Sequence, residues 1–266
     1  MRTLISFIFA ILFALPSSAQ CTVDNKAFKA GEKLTYDLYF NWKFVWVKCG
    51  TGHYSVRSTT YQGKPALRTD LLSKGNKRCD AVFTMRDTLV SITTPELTPL
   101  YYRKGAVEGS NYTVDEVWYT YPNGNSHVKQ KYLSRKGEIS YHNHESSECN
   151  YDMLSILNVA RSFDPKDYKV GQRINFPMAT GKKVETQTLI YKGKKNWKAN
   201  DNKTYRCLVF SLLDYEDKTK ELVRFYVTDD LNHLPIRIDF FLKFGSAKAF
   251  YSKGEGLRNP VTSVVK

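Results

Sequence analysis

Beyond residue 19 the 266-residue chain has no apolar run near the ~20 residues that a membrane-spanning helix requires. It has no CxxC pair, which makes a thiol redox site or a zinc ribbon a poor reading. It also lacks GxSxG, HExxH, a Walker loop and a dinucleotide fingerprint, so no local motif announces a hydrolase, a metalloprotease or a nucleotide enzyme. Catalytic triads assemble from distant segments, so these absences narrow the choice without closing it. Only one long segment reads as a helix.

The first 19 residues, "MRTLISFIFAILFALPSSA", carry a positive start at Arg2, an apolar run from Leu4 to Leu15, then Pro16 and small residues. That layout predicts a secretory signal peptide cleaved after Ala19, and hence a water-soluble exported protein, periplasmic or extracellular. Cys21 raises the alternative of a lipoprotein signal. Lipidation prefers Gly, Ala or Ser before the cysteine, and Gln20 stands there instead, so plain cleavage is expected.

Cleavage removes only Arg2 from a formal charge of +14. An exported chain whose Lys and Arg are spread along its length is not expected to bind nucleic acid. Lipid headgroups or an acidic envelope glycan are the partners this charge suggests, solubility alone being the plainer alternative. Five cysteines remain: Cys21, Cys49, Cys79, Cys149 and Cys207. One or two bridges suit an oxidising compartment, but spacing does not reveal the pairing. Cys207 in "YRCLVF" reads as a buried strand residue.

Period-two alternation dominates. Leu34, Tyr36, Leu38 and Phe40 share one face of "EKLTYDLYF", and Ile236, Ile238, Phe240 and Leu242 one face of "PIRIDFFL". Asn123-Gly124 between "VWYTY" and "HVKQKYL" supplies the positive φ angles of a tight hairpin turn. These signs predict a mainly β fold: a strongly curved antiparallel sheet or half-barrel. "KAGEKLTY" (29–36) and "KVGQRINF" (169–176) match in character, which suggests two related halves, 28–148 and 166–258, in a single domain over 20–266. Between the halves, at about 150–162, lies the amphipathic helix. Met153, Ile156, Leu157 and Ala160 form its expected apolar stripe, with Asn150 as N-cap, Asp152 at the positive end of the dipole and Arg161 at the negative end.

The segments "AGEKLTYDLYFNW…VKCGTGHYSV", "LTPLYYRK", "YDMLSILNVAR" followed by "VGQRINF", and "DDLNHLPIRIDFFLKFGSAKA" together resemble the exported bacterial proteins of the domain-of-unknown-function 3108 family, over roughly Phe28 to Tyr251. The crowded "NWKFVWVKCG" departs from the shorter approach to glycine that the resemblance implies. The resemblance implies a bent antiparallel sheet partly closed around a helix, in outline similar to bacterial lipoprotein carriers. It carries over no catalytic residue and no cofactor.

Candidate chemistry is sparse. His142 and His144 fall on one face of a strand and could hold a metal, although a third ligand would have to come from elsewhere and a solvated strand end is the expected reading. Asp229, Asp230 and His233 could form an acid–base group, but adjacent carboxylates in a turn point apart. Ser155 has Asp152 one turn before it and no histidine in the helix. Trp42, Trp46, Trp118 and Trp197, in a chain with 14% aromatic residues, could stack on sugars or line an apolar cavity; ordinary cross-strand packing is the competing reading. The expectation is a non-enzymatic binding or carrier protein for an apolar or amphipathic anionic ligand. A polysaccharide-binding or surface-assembly protein and a hydrolase with dispersed residues are the alternatives.

Overall fold

The computed structural model describes residues 21–42, 45–80, 84–242 and 245–265. The signal segment therefore lies outside the described residues. Fourteen strands follow in order: β1 (Lys33–Trp42), β2 (Val45–Tyr61), β3 (Lys64–Gly75), β4 (Met85–Thr93), β5 (Pro99–Glu108), β6 (Asn111–Thr120), β7 (Ser126–Leu133), β8 (Ile139–Ser146), β9 (Arg173–Ala179), β10 (Val184–Lys198), β11 (Thr204–Leu213), β12 (Glu221–Thr228), β13 (Pro235–Leu242) and β14 (Gly245–Glu255). A single turn of helix, α1 (Lys77–Asp80), precedes β4, and α2 (Met153–Arg161) lies between β8 and β9.

All fourteen strands form one antiparallel sheet in the order β8-β7-β6-β5-β4-β3-β2-β1-β14-β13-β12-β11-β10-β9. Short turns between strands of Val, Tyr, Phe and Thr favour hairpins. Asn123 (φ 53°) and Gly124 (φ 83°) make the β6–β7 turn, as their residue types require. The first and last strands pair in the middle of the sheet, Leu38 opposite Ala249. The edges, β8 and β9, are consecutive in the chain and are not hydrogen-bonded to each other. Register shifts at Leu38/Tyr39, Ile92/Thr93 and Tyr226/Val227 bend the strands inward. The sheet curls until Ala179 of β9 packs with Leu89, Tyr102, Val117, Tyr119 and Val128 of β4 to β7, with Leu154 of α2 between them. The result is barrel-like and open along one seam.

Alternation holds where one face meets solvent and fails where both are covered. Leu34 and Tyr36 enter the main core as expected. On β11, Cys207 and Val209 join that core, while Leu208 and Phe210 pack on the opposite face against Phe163 and Tyr168 of the segment after α2. On β13, Arg237 and Asp239 are buried as well as Ile236. Their bidentate pair (2.6 and 2.7 Å) lies under the Trp197 ring, which supplies the cover that the sequence pattern does not reveal.

One construction occurs twice. Gly31 (φ 98°) donates to Val56 and Val56 donates back to Glu32; Gly171 (φ 89°) donates to Tyr191 and Tyr191 donates back to Gln172. Leu97 and His233 both take positive φ two residues before the prolines that open β5 and β13.

The helix departs from expectation. Its N-cap is Asp152 and not Asn150, in a capping box with Ser155. Its buried face is not the apolar stripe: Met153 is 46% exposed, whereas Leu154, Ser155, Asn158 and Arg161 are buried. The wall it meets presents Tyr54, Thr69, Ser91 and Glu32, so a mostly polar face of the helix makes the better contact. Leu157 and Val159 flank that face against the main core.

Two disulfides form, Cys21–Cys149 and Cys49–Cys79, and Cys207 is buried and free. Burial pushes the Cys207 thiol up to about 12, leaving it inert at neutral pH.

Candidate functional site

The side chains that α2 turns inward build a polar surface at the centre of the molecule. Asn158 accepts from the Tyr54 hydroxyl (2.7 Å) and donates to the Thr69 hydroxyl (2.8 Å), joining β2 to β3. Arg161 donates to both carboxylate oxygens of Glu32 (2.6 and 3.0 Å) and to the Asn232 carbonyl (3.2 and 3.1 Å). Its guanidinium also lies over the rings of Phe28 and Tyr54, at 5.0 and 5.7 Å. Neither member of the pair reaches solvent: the side chains are 1% and 0% exposed. Burial opposes charge on Arg161, and the Glu32 carboxylate more than offsets it, so the guanidinium stays protonated. His233 donates from Nδ1 to the Arg161 carbonyl (2.6 Å) and stacks on Phe163. Burial lowers the His233 pKa and keeps the ring neutral.

At the other end of α2, Asp152 accepts from the backbone N–H groups of Leu154 (2.9 Å) and Ser155 (2.8 Å) and from the Ser91 hydroxyl (3.2 Å). The Ser155 hydroxyl is committed to the Asp152 backbone, accepting from its N–H at 2.9 Å. Burial lifts the Asp152 carboxyl to about 6 against these hydrogen bonds. Tyr102, Tyr119 and Tyr121 surround it. Among the described residues the Tyr119 hydroxyl, which lies within electrostatic reach of Asp152, is buried without a hydrogen-bond partner, as are Asn150 Oδ1 and Thr93 Oγ1, two residues along the chain from Asp152 and from Ser91. Interior polar groups are ordinarily paired, because an unmade bond costs about 1–3 kcal/mol. These unpaired atoms leave the interior around this end of α2 short of hydrogen bonds.

The Asp152 shift has a definite sign. The folded state holds this proton more tightly than the unfolded chain, so the contribution to stability is full below about pH 4 and is lost as pH rises toward 6. A shift of about two units corresponds to about 3 kcal/mol. Asp152→Asn keeps an N-cap acceptor and removes the charge. The variant is expected to unfold at higher denaturant than the native protein at pH 7, with the difference vanishing near pH 4. His233 acts in the opposite sense, losing its contribution as pH falls below about 6.5, but equally in both proteins. Equal urea midpoints at pH 7, or a gap that does not shrink toward pH 4, would refute the assignment.

Further down the same wall, alternation places Asp87 on β4, Lys104 on β5 and Asp115 on β6 inward, below Ser91 and Tyr102. Burial raises both carboxyls, Lys104 partly countering it. The β9–β10 turn reaches across the seam to this point. The Gly181 N–H donates to Gln130 Oε1 of β7 (3.0 Å), and Lys182 Nζ lies 4.0 Å above the Tyr132 ring. Gly181 (φ +87°) sits so close to Asp115 that a Cβ would fall 2.6 Å from its carboxylate. Only glycine fits there.

The tryptophans do not converge. The Trp42 side chain lies outside the described residues. Trp46 of β2 and Trp197 of β10 are half-buried, each under a cation: Lys248 Nζ of β14 is 3.7 Å over Trp46, and the Arg237 guanidinium of β13 is 3.9 Å over Trp197. Trp118 stands apart on β6 against Tyr101. His142 and His144 are exposed on the edge strand β8, and among the described residues no group of three metal-ligating side chains forms. Asp229 pairs with Lys194 and Arg206, whereas Asp230 accepts from Thr228, Asn232 and Ser263. An open cleft of about 320 Å³ lies between Asp24, Asn25, Phe28–Ala30, Leu67, Pro95–Glu96 and Arg258, and touches the Arg161 cluster only through Phe28. Sequence reasoning missed Glu32, Asn158 and the tyrosines. The Asp152–Ser155 spacing was the one visible sign.

Three comparisons bear on this architecture. The family model of a protein of unknown function, DUF3108, matches residues 35–251. No curated protein matches the chain. A β-barrel-like protein of domain of unknown function DUF1849 from Brucella abortus is similar in fold, with 9% identity, a TM-score of 0.57, and cover of 88% of this chain and 100% of that one. A Bacteroides fragilis protein with a YmcC-like fold covers the same shares at 7% identity and a TM-score of 0.34, too low to carry argument.

Proposed function

From the premise that this chain belongs to the DUF3108 family of proteins of unknown function, we propose that it is an exported, non-enzymatic binding protein of the bacterial envelope. Its ligand is an amphipathic molecule held by its polar end against the inner wall beneath α2. The observation that carries this reading is the set of buried polar atoms of Tyr119, Asn150 and Thr93 that have no partner among the described residues, Tyr119 within electrostatic reach of Asp152. The unpaired seam between β8 and β9 offers the route.

Export is supported by the signal-like first 19 residues and by two disulfides, which suit an oxidising compartment. Cys21 is bonded to Cys149, which favours a soluble protein over one anchored by lipid at Cys21. An anionic ligand was the expectation from net charge, but net charge describes the outer surface. The inner wall sets Asp87, Asp115 and Asp152 against Lys104, and a neutral or cationic polar end fits it better. Anionic lipid or glycan fits the lysine-rich exterior instead.

The alternatives lose support. Cations already cover one face of Trp46 and of Trp197, which leaves less ring surface for sugar. Ser155, Asp229 and Asp230 are each committed to other partners, which leaves the hydrolase reading with less support from the residues first considered for it. The paired braces at Gly31–Glu32 and Gly171–Gln172 support a repeated unit, in which β1–β6 correspond to β9–β14.

Native mass spectrometry of protein purified without detergent from its own envelope tests the reading. The expected species begins at Gln20, carries two disulfides and retains a small molecule. A mass beginning at Met1 would overturn export, and bare polypeptide throughout would overturn binding.

A further inference from the structure

We propose that the mouth of the inner wall at Asp115 and Tyr132 binds an organic ammonium group, and that Lys182 of the β9–β10 turn holds this place until ligand displaces it. The inference rests on the inner wall being a binding surface, and adds the chemical class of what binds.

Lys182 itself shows the preference. Its ammonium stands 4.0 Å over the Tyr132 ring, and its field acts on the Asp115 carboxylate. An aromatic face beside a carboxylate is the ordinary surrounding of a bound ammonium. Lys182 is exposed and makes no ion pair among the described residues, whereas its neighbour Lys183 is tied to Glu185 of its own hairpin and to Tyr215 of the β11–β12 turn. Lys182 can therefore leave at little cost. Among the described residues one hydrogen bond, Gly181–Gln130, holds the turn carrying it to β7.

The groups behind it are short of hydrogen-bond donors. Asp115 has no hydrogen bond or ion pair among the described residues, and Asp87 Oδ1 is buried without a partner. Lys104, opposite Asp115 in the register, lies beyond ion-pair distance of both carboxylates. Tyr102 is 3% exposed, its hydroxyl makes no hydrogen bond among the described residues, and it lies within electrostatic reach of Asp87, Asp115 and Asp152. Glu108, the next acid along this face, is engaged by Arg135 at 2.9 Å. Two unpaired carboxylates against one lysine disfavour an anion. With no group of three metal-ligating residues among those described, a coordinated metal is disfavoured too. A protonated amine brings several donors and a charge that the tyrosine face and Asp115 both favour.

Calorimetric titration of the mature protein tests this with two amine probes and one control. Putrescine represents a free amine, dihexanoyl phosphatidylethanolamine an amine-headed lipid, and dihexanoyl phosphatidylglycerol the same lipid without the amine. Lys182→Ala is expected to tighten binding of at least one amine probe about tenfold, because the competing ammonium is gone. Asp115→Asn is expected to weaken it at least as much, and Tyr132→Leu serves if that variant proves unfolded. Binding of putrescine alone would identify a free amine as the source, and binding of the lipid alone a headgroup. The proposal is overturned if neither amine binds Lys182→Ala more tightly than the native protein, or if the glycerol lipid binds as well as the amine lipid. A different molecule retained in native mass spectrometry would then leave the general binding reading standing, whereas no retained molecule would end both.

Discussion

Replacing Arg161 with methionine is expected to cost about 3–5 kcal/mol, a large share of the stability of an ordinary domain. The substitution leaves the Glu32 carboxylate buried with no cation and the Asn232 carbonyl without the two donors that now reach it. The loss exceeds what the pair contributes over an apolar equivalent, because forming the pair already required stripping water from both ions. The double variant Arg161→Met with Glu32→Leu should therefore recover most of the deficit, though neither single change does. Urea unfolding followed by tryptophan fluorescence measures all four proteins. A single variant within about 1 kcal/mol of the native protein would mean that water reaches the pair, contrary to its 1% and 0% exposure.

Removing the Cys21–Cys149 bridge, as Cys21→Ser with Cys149→Ser, is expected to cost on the order of 4–5 kcal/mol on chain-entropy grounds. The closed loop spans 128 residues, whereas Cys49–Cys79 spans 30 and is expected to contribute on the order of 3–4 kcal/mol. The long bridge also has a local task. Its segment runs from Cys21 along α2, with Asn25 meeting Ser162, and ends in Phe28 and Glu32 at Arg161. The helix is thus tied to the chain's beginning covalently before its first turn and ionically at its last. Loss of the bridge should raise amide exchange in residues 22–30 and in the first turn of α2, where opening of the shorter loop leaves both protected. If the two serine pairs prove equally destabilising, or exchange near α2 is unmoved, this tethering role is wrong.

These two ties show where sequence reading stops. Strand alternation, the Asn123-Gly124 turn and a helix at about 150–162 depend on backbone preferences and on which side chains avoid water, properties carried by neighbours a few residues apart. The choice of helix face depends on what lies opposite. A stripe of Met153, Ile156, Leu157 and Ala160 is the right inward face only against an apolar wall, and β2 to β4 present hydroxyls while Glu32, just before β1, presents an acid. Arg161 reads as a helix-end charge until Glu32, 129 residues away, is brought beside it.

The same limit governs the inner wall. Asp87, Lys104 and Asp115 are unremarkable polar positions in their own strands, and Lys182 is one of many lysines. By itself the sequence determined the mainly β class, the antiparallel hairpins, the central helix and family membership, since each follows from local pattern or from order along the chain. Only the tertiary structure decided the cysteine pairing, the polar face of α2, the burial of Arg161 with Glu32 and the meeting of Lys182 with Tyr132. Those depend on whether distant side chains arrive to replace water around a charge, and no local pattern encodes that.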